Sequence, residues 1–151
     1  MESFDTILRL LVATAIGGAI GLNRELHGKA TGLRTLALVG LGAAIVVLTT
    51  QHVGGVSDAS SASRVIQGVI TGIGFLGAGV IMRSPKEERV HGLTTAATIW
   101  VTACMGVASG YGAWLLVITA ALIIAFLLVA GRSLEKAAHK YLTGKDDEAD
   151  F

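Results

Sequence analysis

The segment Arg64-Val-Ile-Gln-Gly-Val-Ile-Thr-Gly-Ile-Gly-Phe-Leu-Gly-Ala-Gly-Val-Ile-Met-Arg83 places 18 uncharged residues between two arginines. In water this segment would be a poor helix, because each glycine costs about 1 kcal/mol relative to alanine. In a bilayer the backbone finds no water to bond, so a helix is required, and glycines let neighbouring helices approach closely. The sequence therefore predicts that residues 64–83 form the central transmembrane helix of a small bundle. Its packing glycines are Gly68, Gly72, Gly74, Gly77 and Gly79.

Part of this segment, Gly72-Ile-Gly-Phe-Leu-Gly77, matches the dinucleotide-binding pattern G-x-G-x-x-G. That motif requires a strand before it, a helix after it and an acidic residue about 20 positions further on. Here the pattern lies inside a continuous apolar run without turn residues. Helix-packing glycines are the better interpretation.

The composition of the whole chain is typical of a membrane protein. Of its 151 residues, 52% are hydrophobic and 15% are charged, and the mean hydropathy is +0.67. An average soluble domain carries about 25% charged residues. A formal net charge of +1 gives no indication of a nucleic-acid partner, and Cys104 is the single cysteine. The sequence contains no HExxH, Cys/His, Walker or Ser-His-Asp pattern, so we expect neither an enzyme nor a bound cofactor.

Five apolar segments are expected to cross the membrane, which predicts an all-α polytopic helical bundle. The N-terminus lacks the pattern of a cleavable signal peptide, so we expect the first segment to remain as a membrane helix. Gly17 and Gly21 give that helix a small-residue packing face. Residues 1–131 form the predicted membrane domain, and residues 132–151 form a predicted cytoplasmic amphipathic tail. The predicted spans are about 3–22, 35–50, 65–82, 93–109 and 112–131.

The distribution of basic residues predicts the orientation. With five spans, ten of the twelve lysines and arginines fall on one side, and only Arg9 and Arg64 fall on the other. The positive-inside rule then places the N-terminus outside and the C-terminus in the cytoplasm. Arg9 follows Asp5 by four residues, so these two side chains either pair on one helical face or Arg9 extends to the interface.

Two hairpins of the chain resemble each other. In each, a glycine-containing helix ends at an arginine, Arg24 or Arg83, and a Gly-Leu-x-Thr sequence from Gly32 or Gly92 opens the returning helix. The halves would share one orientation, as in a parallel two-helix repeat. Chance similarity between two glycine-rich hairpins is the alternative.

The junction between the first two spans gathers ionisable residues. A pair of Glu25 with Arg34, or of Glu25 with Arg24 of a repeat partner, would form a gate or polar site, because ionisable groups in membranes are functional candidates. Thr35, which follows Arg34 at the start of the second span, belongs to the same group. The alternative is an interfacial salt bridge that anchors the loop.

A second polar group lies at the start of the third span. Asp58, Arg64 and Gln67 are close in sequence there. One carboxylate with retained waters could hold Mg²⁺, but Asp58 could equally cap the helix or pair with Arg64.

Threonines mark the fourth span. Thr94, Thr98 and Thr102 share one helical face by their spacing of four, and Thr95 adjoins them. Their hydroxyls could line a polar path. They could equally bond across helices or to their own backbone.

Four segments of the chain form a distinctive set: Gly21-Leu-Asn-Arg-Glu25, Gly32-Leu-Arg-Thr35, residues 64–83 and Gly92-Leu-Thr-Thr-Ala-Ala-Thr-Ile-Trp100. Together they resemble the MgtC/SapB family of bacterial inner-membrane proteins, and the resemblance covers about residues 5–130. Asn23 stands where many members carry Glu, and the chain resembles the shorter members that lack a C-terminal cytoplasmic domain.

This resemblance implies a five-span plasma-membrane protein associated with magnesium limitation and, in pathogens, with survival inside macrophages. Members of this family are not established magnesium transporters, so the resemblance does not predict magnesium transport. An interaction with the F-type ATP synthase is proposed for the member that names the family, and the resemblance therefore implies this complex as a candidate partner. We therefore expect a regulatory protein of ion homeostasis that works through a membrane partner as a homo-oligomer, with a dimer favoured. The alternative is a transporter or channel for a cation such as Mg²⁺ or for a small solute.

Overall fold

Five α-helices make up the fold of the computed structural model, which describes residues 2–53, 59–83 and 90–143 and the side chains of residues 3–51, 60–81 and 91–130. A two-residue strand β1 (Met82–Arg83) pairs antiparallel with β2 (Val90–His91) between the third and fourth helices. The predicted all-α helical bundle is confirmed. The helices are α1 (Glu2–Leu26), α2 (Leu33–Val53), α3 (Ala59–Val80), α4 (Leu93–Gly110) and α5 (Trp114–Thr143).

Most of these helices have the length and composition of a membrane span. Within the described residues, four qualify, and the apolar part of α5, Trp114–Ala130, is shorter. A bundle of such helices is the architecture of a helical membrane protein. The four qualifying segments are Ser3–Leu26, Leu33–Gln51, Ser60–Val80 and Leu93–Gly110.

The helices are longer than the apolar spans that the sequence marks. Helix α2 continues to Val53 and α3 begins at Ala59, so Arg64 lies in the second turn of α3 and not at its start. Helix α5 runs on to Thr143, so residues 132–143 of the predicted tail are helical and continuous with α5. Hydropathy marks only the apolar part of a helix, and Ala, Leu, Glu and Lys in the flanks are themselves good helix formers.

Helix α4 occupies the centre of the bundle. All four other helices contact it, and half of its span is buried. In α3, by contrast, Gly77 is the one buried residue among the described residues 60–80. The prediction that residues 64–83 form the central helix is therefore wrong for the single chain. Helix α3 packs chiefly on α4 and leaves the rest of its surface exposed.

Close helix contacts explain this difference. A Cβ on Gly17 would collide with the carbonyl of Leu36, and one on Gly21 would lie 2.6 Å from the carbonyl oxygen of Gly32, so α1 and α2 approach at van der Waals distance. Gly106 of α4 meets the backbone of Gly40 of α2 in the same way. Helices α1 and α2 thus pack closely together and α4 packs on both of them, and small residues permit this close approach.

The predicted packing glycines of α3 make no such contacts within the chain. Gly77 would place a Cβ at an ordinary 3.7 Å from the Cβ of Ala96. The other four have no heavy atom within 4 Å of that position, apart from their own helix. Their small size is therefore not required by any described neighbour in this chain. These four are Gly68, Gly72, Gly74 and Gly79.

Glycines turn the chain at both ends of α4. Gly92 has φ +94°, and a Cβ there would collide with the carbonyl of Val80, so the return into α4 requires glycine. At the other end of α4, Gly112 has φ +71° and lies in the turn into α5. The parallel repeat of the two hairpins stays a prediction.

Candidate functional site

Arg24 lies at the centre of the best-defined polar site. It sits in the last turn of α1 and is only 4% exposed. Its Nη1 donates to Thr98 Oγ1 at 3.1 Å, and its Nη2 donates to Thr95 Oγ1 at 2.5 Å and to the carbonyl oxygen of Ala30 at 3.2 Å. A buried charge must be hydrogen-bonded to be tolerated. The guanidinium therefore ties α1 and the α1–α2 loop to the first turns of α4.

The threonines of α4 are oriented by their own backbone. Thr98 donates its proton to the carbonyl oxygen of Thr94 at 2.7 Å, and Thr102 donates to that of Thr98 at 2.8 Å. With its proton used in this way, the Thr98 oxygen faces Arg24 as an acceptor. Of the three threonines predicted to share one face, Thr98 and Thr102 are buried and Thr94 is exposed. Both buried threonines donate to their own backbone, and Thr98 also bonds across helices to Arg24.

Glu25 points away from Arg24. Its Oε2 accepts a hydrogen bond from the backbone N–H of Leu33 at 3.0 Å, and its carboxylate also lies against Gly32. A carboxylate at this position satisfies a free donor of α2 and interacts favourably with the helix dipole. Successive residues of a helix point about 100° apart, so Arg24 reaches α4 while Glu25 reaches the start of α2. Glu25 acts here as the cap of α2.

The predicted group around Glu25 is therefore only partly assembled. Arg34 and Thr35 are exposed at the start of α2, and within the described residues Glu25 and Arg34 form no ion pair within 4.0 Å. Arg24 and the threonines of α4 meet, although they belong to separate groups by their positions in the sequence.

The second predicted group, at the start of α3, is not brought together by the described residues. Arg64 and Gln67 are both exposed on α3, and Asp58 lies outside the described residues. In the part of the chain that the structure describes, no group of three or more His, Cys, Asp and Glu residues is arranged to hold a metal ion.

Arg9 forms a polar site of which the sequence offered only one contact, the pairing with Asp5. Its Nε lies 2.7 Å from Asp5 Oδ2, which confirms the pairing alternative. Its Nη1 donates to the carbonyl oxygen of Gly110 at 2.8 Å and to Gln51 Oε1 at 3.3 Å. A cation at the C-terminal end of α4 satisfies a free carbonyl and complements the helix dipole. The sequence feature that could have indicated the contact with Gly110 is the Gly110-Tyr-Gly112 turn, because it ends α4 and leaves carbonyl groups there without a helical partner.

Two arginines of α1 therefore hold the two ends of α4. Arg24 follows Arg9 by 15 residues, and Gly110 follows Thr95 by 15 residues, so the two pairs of contact points match along antiparallel helices. Fifteen residues of helix rise about 22 Å, most of the thickness of a membrane core. We call these two contacts the arginine clamp. It fixes the relative height of α1 and α4.

Cavities of the bundle lie mainly around α3. An apolar groove of about 510 Å³ separates α2 from α3, and a polar recess of about 490 Å³ opens beside Glu25 and Lys29. A third, apolar cavity of about 290 Å³ lies between α3 and α4 and is lined by Cys104 and Tyr111. The hydroxyl of Tyr111 is buried there and makes no hydrogen bond to the described residues.

The fold and the clamp define the class of protein, a small helical membrane bundle with a buried arginine between α1 and α4. Residues 10–137 match the MgtC family, and the chain belongs to that family.

Several relatives show the same membership. The chain is 47% identical over 115 residues to "Protein SrpB" of Synechococcus elongatus, covering 70% of this chain and 63% of that protein. It is 38% identical over 151 residues to "Putative magnesium transporter YhiD" of Escherichia coli K12, covering 92% and 68%. It is 41% identical over 140 residues to "Protein MgtC" of Salmonella typhimurium, covering 93% and 57%. The chain thus spans somewhat under two thirds of SrpB and MgtC. No solved structure matches it.

Proposed function

We propose that this chain acts in ion homeostasis under magnesium limitation, as a regulatory protein and not as an enzyme. Its membership of the MgtC family and the magnesium-related name of the relative from Escherichia coli support this role. We further propose that it resides in the bacterial inner membrane, with its N-terminus outside and its C-terminus in the cytoplasm. The concentration of ten of twelve lysines and arginines on one side supports that orientation.

The observation that carries the regulatory proposal is the outward face of α3. Gln67, Thr71, Gly74 and Ala78 recur at intervals of four, three and four residues, and all four are exposed. Polar and small side chains on one face are what drives helices together in a lipid environment, whereas large apolar side chains suit lipid itself. We call this the small–polar face of α3. It suits a partner helix that the single chain does not supply.

The partner proposed for this face is the same face of a second copy, which gives a dimer. Two copies related by an axis along the membrane normal would place each Gly74 and Ala78 against its counterpart, as isologous interfaces do. A regulatory dimer would then act on a further membrane complex. The F-type ATP synthase, implied by the family resemblance, is the first such complex to test.

Cysteine cross-linking in membranes tests the dimer. Cys104 is the single cysteine, so the Cys104→Ala variant provides a cysteine-free background. Ala78→Cys in that background should give a disulfide-linked dimer under mild oxidation. Leu122→Cys, at an exposed position of α5, serves as the matched control and should remain monomeric. Equal cross-linking at both positions, or none at Ala78→Cys, would contradict the proposed interface.

A growth assay then connects the face to function. In a strain that lacks this protein and grows poorly at low magnesium, the unmodified chain should restore growth. Gly74→Leu should reach the membrane but restore growth poorly, because the added side chain blocks the small–polar face. Leu122→Ala should behave as the unmodified chain. Full restoration of growth by Gly74→Leu would mean that the magnesium role does not depend on the small–polar face.

A transporter is the second candidate, and the buried contact of Arg24 with the α4 threonines favours it. Ionisable groups buried inside a membrane bundle often mark ion pathways. If the neighbouring Glu25 of α1 carries ions, Glu25→Gln should abolish flux in reconstituted liposomes. If Glu25 only caps α2, the amide oxygen of Gln can still accept from Leu33, and the substitution should have little effect.

A further inference from the structure

Two cavities of the bundle adjoin each other at the start of α2. The apolar groove between α2 and α3 and the polar recess beside Glu25 share two lining residues, Arg34 and Thr35. The groove adds about 510 Å³ of apolar space to the recess of about 490 Å³. We call the combined space the α2–α3 cleft. It is amphipathic, with its polar end at the start of α2.

The polar end of the cleft carries a positive charge. Lys29 and Arg34 line the recess with Glu25, and all three side chains are exposed. The Glu25 carboxylate already accepts from the backbone of Leu33, whereas the two cations remain available at the rim. A guanidinium offers paired donors that match a phosphate, and an ammonium adds a mobile point charge. The recess therefore suits an anionic headgroup.

The apolar end of the cleft has a backbone floor. Gly42, Gly68 and Gly72 line it, and none has a heavy atom of another element within 4 Å of the position of a Cβ. Leu38 and Leu76, both largely exposed, form its walls. A slim apolar chain could lie along this floor in contact with both helices.

The length of the groove decides between two occupants. It extends from Arg34 to Val46, which are 12 residues apart on α2 and therefore about 18 Å apart along the helix. One leaflet of a bilayer core is about 15 Å thick, half of the full core. A spanning partner helix would need a groove of about 30 Å, whereas an acyl chain anchored at the interface needs one leaflet.

We propose that the α2–α3 cleft binds an anionic phospholipid, with its phosphate at Arg34 and Lys29 and one acyl chain in the groove. Basic recesses beside membrane helices are recognised sites for anionic headgroups. This site is separate from the small–polar face of α3, because Gly68 and Gly72 line the groove and Gly74 does not. The inference does not depend on the magnesium role.

Native mass spectrometry of the detergent-purified protein tests the site, using phosphatidylglycerol, phosphatidylethanolamine and inorganic phosphate as probes. We expect phosphatidylglycerol to bind more tightly than the zwitterionic lipid. Arg34→Gln should weaken phosphatidylglycerol binding about five-fold, the effect of one basic residue near an anionic lipid. Gly72→Leu should weaken both lipids by filling the groove. Arg64→Gln and Gly74→Leu are the matched controls, and neither should change lipid binding.

Several outcomes would overturn the proposal. Equal binding of the two lipids would remove the headgroup site, and competition by inorganic phosphate at equal concentration would assign the recess to a free anion. If Gly72→Leu disrupts the dimer and leaves lipid binding unchanged, the groove belongs to a second copy. Circular dichroism and gel filtration of each variant establish that a loss of binding does not arise from misfolding.

Discussion

Replacing the buried Arg24 by alanine should destabilise the bundle more than replacing the exposed Arg34 does. The substitution removes two hydrogen bonds to α4 threonines and one to the carbonyl of Ala30. Interhelical hydrogen bonds in membrane proteins average about 0.6 kcal/mol, while bonds to charged groups in water-soluble proteins contribute about 1.5–3 kcal/mol. Because Arg24 is charged but lies near the end of a membrane helix, we expect a total loss of about 1–3 kcal/mol in the free energy of unfolding.

The free energy can be measured by titrating the protein from mild detergent or bicelles into a denaturing detergent. Helicity reports the transition, and Arg24→Ala should move it to a lower denaturant fraction. Arg34→Ala is the matched control, since Arg34 is exposed at the same end of the bundle and should change stability by less than about 0.5 kcal/mol.

A double-mutant cycle isolates the contact itself. Thr98→Val keeps the shape of the side chain and removes the oxygen that accepts from Arg24 Nη1. Arg24→Ala, Thr98→Val and their combination should show a coupling of about 0.6–1.7 kcal/mol. Additive effects, or an Arg24→Ala effect no larger than that of Arg34→Ala, would refute the arginine clamp as a source of stability.

Three further predictions concern single side chains, each measured by the same unfolding titration. Gly106→Ala should lower the free energy of unfolding by about 1–3 kcal/mol, because the added Cβ meets the backbone of α2. Gly74→Ala should be neutral or stabilising by up to about 1 kcal/mol. Equal effects of the two substitutions would contradict the packing described. Glu25→Ala should cost about 1 kcal/mol by uncapping α2, and Glu25→Gln should cost only tenths, so a large Gln effect would assign the carboxylate another role. Arg9→Gln should cost about 0.5–1.5 kcal/mol through the lost bond to Gly110, and no change would remove that end of the clamp.

The number and order of the helices could be predicted from the sequence. Apolar runs separated by charged loops mark membrane helices directly, and the Gly110–Gly112 turn between α4 and α5 follows from turn residues alone. The ends of the helices could not be predicted in the same way. Polar flanks such as residues 59–63 continue a helix without changing the hydropathy signal.

The centre of the bundle could not be predicted from glycine content. Helix α3 carries five glycines between Arg64 and Arg83, yet α4 is central and makes its closest contacts through Gly106 and Gly110. Glycine permits close approach, but only the positions of the partner backbones decide whether the approach occurs. A glycine face without a partner in the chain leaves its partner to be supplied by lipid or by another protein.

The directions in which Arg24 and Glu25 point could not be predicted from the sequence either. Arg24 and Glu25 are adjacent in sequence, and their pairing with distant residues depends on the rotation of α1 against α2 and α4. The sequence marked both residues as candidates, but by position it grouped Arg24 with Arg34 and not with the threonines of α4. The contacts of Arg24 with Thr95 and of Arg9 with Gly110 span 71 and 101 residues, which local patterns cannot link.

Magnesium flux into liposomes that contain the purified protein and a magnesium-sensitive dye tests the central claim most directly. The regulatory account predicts no flux above that of empty liposomes, for folded and inserted protein, and no difference between the unmodified chain and Glu25→Gln. Saturable flux that is lost in Glu25→Gln would contradict the account and would place a transport pathway at the junction of α1 and α2.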